Sequence, residues 1–450
     1  MDNKISNSYI IAVGFMLFAL FFGAGNLIFP AMLGQTAGSN IWEANAGFIA
    51  TGVGLPLLGV IALGISGKSD LQSLASRVSP SFGVIFTVVL YLSIGPLFAI
   101  PRTGTVSYEI GIRPFLPESM GTIGLIIFTI LFFGITAYFS LKSSKIVDIV
   151  GKYLTPLLLI FIMILIGAAF INPIGEIQAP TEKYITDAFF KGFQEGYLTM
   201  DALAAFVFGI IVIDAVRAKG AKTKKAIMIA VTKAGLIAAA LLAIIYTSLS
   251  FIGASSVQGL GLLDNGGSVL SGASNHYFGS FGGILLSLIV LAACLTTSIG
   301  LITSCAAYFT KLMPNVSYNK FVLIFSVFSA GIANFGLSQL ISISVPVLTA
   351  IYPLAIVLMF LTFLHPFFKG RKEVYQFSML LTFIVGFFDG LNAAGVKIEA
   401  VNSFFSSVLP LHSVGLGWIF PAIIGAILGI IIALFKRGTP EENSQEKQIV

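Results

Sequence analysis

Apolar runs of about 20 residues, each long enough to cross a bilayer, follow one another along almost the whole chain, separated by short stretches of Gly, Pro and charge. Reading runs against punctuation predicts twelve spans, near residues 8–33, 42–65, 82–104, 121–140, 146–170, 187–213, 226–252, 281–310, 320–338, 339–364, 374–393 and 414–435. The expected fold is therefore an all-α polytopic membrane protein, with one transmembrane domain over 1–435 and a polar tail over 436–450. The first run is too long for a signal-peptide core and contains Gly, Asn and Pro, so it is expected to be retained as span 1.

Composition supports this reading: 57% of the 450 residues are hydrophobic and 10% charged, against roughly 25% charged in soluble proteins. The net charge of +6 would suit nucleic acid, but no basic stripe with interleaved aromatics exists, and the cations lie in short loops. Of the 25 Lys and Arg, 19 fall in alternate loops that include Lys4, Lys142, Lys145, Lys152, Lys222 and Lys372. Five (Arg102, Arg113, Lys183, Lys191 and Lys397) fall in the others, and Lys233 lies inside span 7. The positive-inside rule then places both termini in the cytoplasm. Cys294 and Cys305 share span 8, about 16 Å apart along a helix, too far for a disulfide. The isolated His276, His365 and His412 give no metal-type spacing. The segment 253–280, rich in Gly and Ser, could cover a vestibule or simply connect, and 397–417 has the mixture of an interfacial helix or of a plain loop.

Three spans are interrupted. Span 1 carries Gly23-Ala24-Gly25-Asn26 at mid-membrane depth, where a continuous helix loses stability. Unwound backbone survives in a bilayer only if it lines a cavity or is buried in protein. Span 6 carries Glu195-Gly196-Tyr197-Leu198-Thr199-Met200-Asp201; Asp201 is the deeper carboxylate, and an ionisable group at that depth points to function, while Glu195 fits the outer interface. Spans 1 and 6 are an odd number apart, so spans 1–5 (8–170) and 6–10 (187–364) form an expected five-plus-five inverted repeat, with two further helices over 374–435. Matching interruptions in inverted halves point to a transporter site. Span 8 adds Thr296-Thr297-Ser298, hydroxyls that either bond their own backbone or offer hard oxygen ligands to a cation.

Gly23-Ala24-Gly25-Asn26 and Leu295-Thr296-Thr297-Ser298-Ile299 resemble the sodium-binding segments of the amino acid-polyamine-cation superfamily. Gly23 to Gly34 and the run Gly95-Pro96-Leu97-Phe98-Ala99-Ile100-Pro101-Arg102-Thr103 resemble, more closely, the branched-chain amino acid:cation symporter family. That resemblance implies a sodium site from the carbonyls of Ala19, Phe22 and Ala293 with the hydroxyls of Thr296 and Thr297, and a second one at Asn26 and Thr199 in relatives that have two. It implies substrate contacts from the broken segments, at Gly23, Ala24, Gly25, Asn26, Tyr197, Thr199 and Asp201, and from Tyr91 in span 3. The external-gate arginine of the neurotransmitter-type pattern is missing; Arg102 either replaces it or, more plainly, sits at the rim.

The expected function is import of leucine, isoleucine and valine across the bacterial inner membrane by sodium symport with alternating access, with proton coupling as the alternative. Asp201 would neutralise the substrate amine, complete a cation shell or take up a proton. No cofactor and no obligate protein partner is expected beyond the amino acid, the coupling ion and the bilayer. A channel is disfavoured because the interruptions are dissimilar and present in one copy. An enzyme is disfavoured because no catalytic constellation accompanies the lone Asp389.

Overall fold

The computed structural model describes residues 5–68, 70–142, 155–181 and 184–435. Lys4, Lys145, Lys152, Lys183, the start of expected span 5 and the tail lie outside the described residues. Among the described residues every regular element is a helix. Seven helical runs are long and apolar enough to cross a membrane: Ala24–Ser66, Pro80–Phe115, Gly121–Ser140, Lys224–Leu260, Ser280–Leu312, Leu337–Leu364 and Lys372–Ala393. Ala188–Tyr197 and Asp201–Ala218 qualify together, bent by 46° at their break. Asn7–Phe21, Thr155–Ile171, Tyr318–Ala333 and Ile419–Phe435 are shorter and apolar. Large apolar side chains point outward, with Ile123, Ile130, Leu131, Val327 and Leu434 all more than half exposed. That surface suits hydrocarbon and would be a liability in water.

The described residues divide into two compact units, one within 5–64 and 90–344 and one within 65–89 and 345–435. The first is held by close helix contacts through small residues, the packing mode expected where lipid removes the hydrophobic drive for helix association. A Cβ on Gly34 would run into the Ser250 carbonyl, and one on Gly253 into the Ala31 carbonyl, so helices Ala24–Ala37 and Lys224–Leu260 touch backbone to backbone. Gly47 and Gly192 do the same for Ile41–Ile49 and Ala188–Tyr197.

This packing corrects the expected end of span 7. Gly253 marks a helix contact rather than a loop, and the helix continues to Leu260. The remainder of 253–280 is mostly a second helix, Gly266–Phe278. It lines an open cleft of about 960 Å³ together with Glu109, Phe115 and Gln339. Expected span 3 also runs longer, to Gly111, through a π-helical turn over Ser93–Leu97. Gly95 leaves the helical region there (φ −95°, ψ −127°), and a Cβ on it would lie 2.7 Å from Cys305 Sγ.

In the second unit, Lys372–Ala393 and Ile419–Phe435 pack through Gly425 and Gly429, either of which would drive a Cβ into the opposing backbone. Ser378 donates to the Ala422 carbonyl at 2.8 Å across the same contact. The expected interfacial segment holds the helix Glu399–Val408, with Phe404 59% exposed and Phe405 buried.

If these glycines are packing contacts, Gly34→Val and Gly253→Val should each cost about 1–3 kcal/mol of stability. Both should lower the thermal midpoint in detergent, whereas Gly134→Ala, with nothing within 4 Å of its Cβ, should hold it or raise it slightly. Equal midpoints in all three variants would contradict the contact.

Candidate functional site

The first break follows from Phe22 and Gly23. Helix Asn7–Phe21 ends as the Phe22 N–H donates to the Phe18 carbonyl at 2.8 Å. Gly23 is extended (φ −119°, ψ −157°) before helix Ala24–Ala37 begins. The Gly23 N–H donates to Asn26 Oδ1 at 3.0 Å, so a side chain three residues on caps the new helix. Glycine is required here for space: a Cβ would stand 2.8 Å from Thr297 Oγ1. The second break spans Leu198 to Met200, with Met200 in the left-handed region (φ 65°) and Asp201 opening the next helix. Thr199 Oγ1 donates to the Gly196 carbonyl at 2.9 Å and accepts from the Asp201 N–H at 3.3 Å. Both breaks thus satisfy freed backbone groups with local side chains.

A hydrogen-bonded trio joins the two breaks. Asn26 Nδ2 donates to Asp201 Oδ2 at 2.5 Å and to the Tyr246 hydroxyl. Tyr246 in turn donates to Asp201 Oδ2 at 2.9 Å. Asn26 is 2% exposed, Asp201 3% and Tyr246 not at all, so the carboxylate depends on these donors in place of water. The orientation of Asn26 commits its oxygen to Gly23 and its amide hydrogens to the trio. Asn26 and Thr199, named as a second sodium site, therefore both serve Asp201 in this conformation.

Beside the first break lies a cluster of oxygens. Thr296 Oγ1 donates to the carbonyls of Ala19 at 2.9 Å and Ala293 at 2.8 Å. Thr297 Oγ1 donates to Leu20 O at 3.0 Å and approaches Ala19 O at 3.5 Å. Four of the five expected ligands are brought together and Leu20 O joins them, while Phe22 sits at the break and neither hydroxyl bonds it. The Ala19 and Leu20 carbonyls belong to the last turn of a helix, where carbonyls lose intrahelical partners and the dipole is negative. Hard, uncharged oxygens of this kind suit an alkali cation. Among the described residues no group of three or more His, Cys, Asp or Glu could hold a metal ion.

A small cavity of about 20 Å³ connects these groups, lined by Gly23, Ala24, Gly25, Asn26, Thr199 and Asp201 from the breaks and Thr297 from the oxygen cluster. Leu20, Phe21, Ala99, Ala204, Phe208 and Leu301 form its apolar wall. Tyr197 borders the second break, packed on Phe193 at a centroid distance of 5.6 Å, and does not line the cavity. Tyr91 lies elsewhere, stacked on Tyr308 at 4.3 Å. Span 3 contributes Ala99, Arg102 and Thr103 to the lining instead. Arg102 is not at a rim: it is 4% exposed, and its Nη1 donates to the Leu198 carbonyl at 2.9 Å. Sequence reading also missed Tyr246, a single phenol in an apolar run with no pattern to mark it.

Broken helices meeting over a central cavity are an arrangement of secondary transporters, and comparison with solved structures shows the same fold class. The nucleobase-cation-symport-1 family transporter Mhp1 aligns with a TM-score of 0.59 at 12% identity, over 95% of this chain and 92% of its own. MhsT, solved in complex with L-phenylalanine, aligns with a TM-score of 0.55 at 18% identity, over 94% of this chain and 98% of its own. The sequence narrows the class: this chain belongs to the branched-chain amino acid transport protein family, whose profile matches residues 6–436. It is 60% identical to the branched-chain amino acid permease BrnQ of Bacillus subtilis, over 98% of this chain and all of that one. It is 42% identical to the branched-chain amino acid transport system 2 carrier protein of Pseudomonas aeruginosa (94% and 95%), and 40% to BrnQ of Escherichia coli K12 (96% and 97%). The family is one of multi-span membrane permeases, not of enzymes.

Tyr246→Phe removes one of two side-chain donors to a buried carboxylate. It should cost about 1–3 kcal/mol of stability, read as a lower unfolding midpoint in detergent. An unchanged midpoint would show that the hydroxyl bond carries no weight.

Proposed function

We propose that the protein imports leucine, isoleucine and valine across the bacterial cell membrane by sodium symport, with alternating access. The observation that carries the reading is the convergence of two broken helices on one cavity that shares Leu20 and Thr297 with the oxygen cluster. The names of the relatives supply the substrate class. In this reading the chain crosses the membrane twelve times with both termini in the cytoplasm, and its first ten spans form the five-plus-five inverted repeat.

The amino-acid backbone is a zwitterion, and the cavity offers Asp201 to its ammonium group. The apolar wall of Leu20, Phe21, Phe208 and Leu301 takes a branched aliphatic side chain without asking for a hydrogen bond. A cavity of about 20 Å³ holds about one water, so loading requires the half-helices to part. The breaks at Phe22–Gly23 and Leu198–Met200 are the natural pivots, because the backbone there is already non-helical. Sodium, as the co-transported ion, would take the carbonyls of Ala19 and Ala293 and the hydroxyls of Thr296 and Thr297, with Phe22 O completing the set as the hinge adjusts. Its positive charge would hold helix Asn7–Phe21 against Ser280–Leu312, and the substrate would then meet a first helix already fixed in place.

Proton coupling is the second reading, and Asp201 favours it. The carboxylate is buried beside a phenol at 2.9 Å, where binding a proton would remove the cost of a buried charge.

Sodium activation of labelled leucine uptake, normalised to protein in the membrane, separates the two. Thr297→Ala removes a ligand that water cannot easily replace, a loss of about 1–3 kcal/mol, so half-maximal sodium should rise roughly 5- to 150-fold. Thr297→Ser, which keeps the oxygen, should stay close to wild type. Uptake that ignores sodium in the wild type and is lost in Asp201→Asn would instead make the proton the coupling ion.

A further inference from the structure

We infer that Arg102 receives the α-carboxylate of the substrate, opposite Asp201, so that the site selects for the full zwitterion rather than for the aliphatic side chain alone. The inference rests on the amino-acid transport reading above and adds to it a binding residue from span 3. Three observations converge on the guanidinium. It lines the same small cavity as Asp201, Gly25 and Asn26. It is held from behind, with its central carbon 5.5 Å from the centroid of the Phe29 ring and Nη1 on the Leu198 carbonyl at 2.9 Å. Gly25 makes room for it, since a Cβ there would lie 2.9 Å from Nη2 and 3.1 Å from the Phe29 ring.

Placement of charge gives the direction. Helix Ala24–Ala37 starts at the cavity, and the first N–H groups of a helix have no intrahelical partner and carry the positive end of its dipole. Arg102 adds a full positive charge beside that terminus, and a planar fork of donors matches a carboxylate with two parallel hydrogen bonds. Asp201 supplies the one carboxylate of the lining. A bound amino acid therefore has an anion-binding wall formed by Gly25 and Arg102 and a cation-binding wall formed by Asp201, and the two walls fix which way its backbone lies.

The test compares competitors of labelled leucine uptake. Leucinol keeps the ammonium group and the side chain but exchanges the carboxylate for an alcohol. Losing a charged hydrogen-bond partner costs a factor of about 10 to 150, so wild-type protein should prefer leucine to leucinol by that order. Arg102→Gln should raise the leucine KM by a similar factor and leave inhibition by leucinol where it was, so that discrimination collapses while half-maximal sodium, measured at saturating leucine, stays in place. Arg102→Lys, which keeps the charge and loses the fork, should fall between. Leucinol competing as well as leucine in the wild type overturns the inference without any variant. Arg102→Gln weakening leucine and leucinol alike overturns it too and reduces Arg102 to a clamp on Leu198. Wild-type protein without saturable leucine uptake would overturn the transport reading itself, a result distinct from both.

Discussion

A peptide group that leaves a helix inside an apolar protein has no water to bond, and leaving it unpaired costs as much as a lost hydrogen bond. This chain interrupts two helices in such surroundings, at Phe22–Gly23 and at Leu198–Met200. Each break is stabilised by its own side chain, Asn26 or Thr199. The bond from Asn26 to Asp201 then makes the two breaks one structure, with Tyr246 closing the trio from a third helix. Around it the packing is close. Gly23 lies against Thr297, and Gly34 and Gly253 bring helices Ala24–Ala37 and Lys224–Leu260 into backbone contact. None of these positions has spare room, so a displacement at one break must be felt at the other.

That shared geometry is what a coupled carrier needs. Coupling between two ligands is a free energy, and it requires that each ligand's site change when the other fills. Thr297 belongs both to the cavity wall and to the oxygen cluster, and the first break ends the helix that supplies the Ala19 and Leu20 carbonyls. An ion at the cluster and an amino acid in the cavity would thus act on the same short segment of backbone.

Much of this was legible in the sequence, for definite reasons. Glycines and an asparagine at mid-membrane depth announce a break because a helix in lipid tolerates them poorly, and Asp201 stands out because a carboxylate at that depth is expensive. The hydroxyls of Thr296 and Thr297 were recognisable from their resemblance to cation-binding segments. What failed was register. Span 3 was expected to end near residue 104, which put Arg102 at a rim, and the family resemblance put Tyr91 at the site. The helix in fact continues to Gly111 after a π-turn at Gly95, so Arg102 is buried. At that turn Gly95 admits the close approach of Cys305, a tertiary contact that no local pattern reports. The end of span 7 failed for a related reason, because a packing glycine and a loop glycine look alike until the partner helix is known. Tyr246 was invisible, since its role exists only through Asn26 and Asp201, both distant along the chain.

The claim that the two breaks form one unit is tested most directly by a double-mutant cycle between Asn26 and Asp201 on unfolding free energy in detergent micelles. Asn26→Ala and Asp201→Ala, made singly and together, isolate the interaction between the two helices. The account predicts a coupling energy of about 1–3 kcal/mol, within the roughly 0.5–3 kcal/mol typical of residues in one hydrogen-bond network. Effects that simply add, to within about 0.5 kcal/mol, would contradict it and leave two independent breaks that happen to be neighbours.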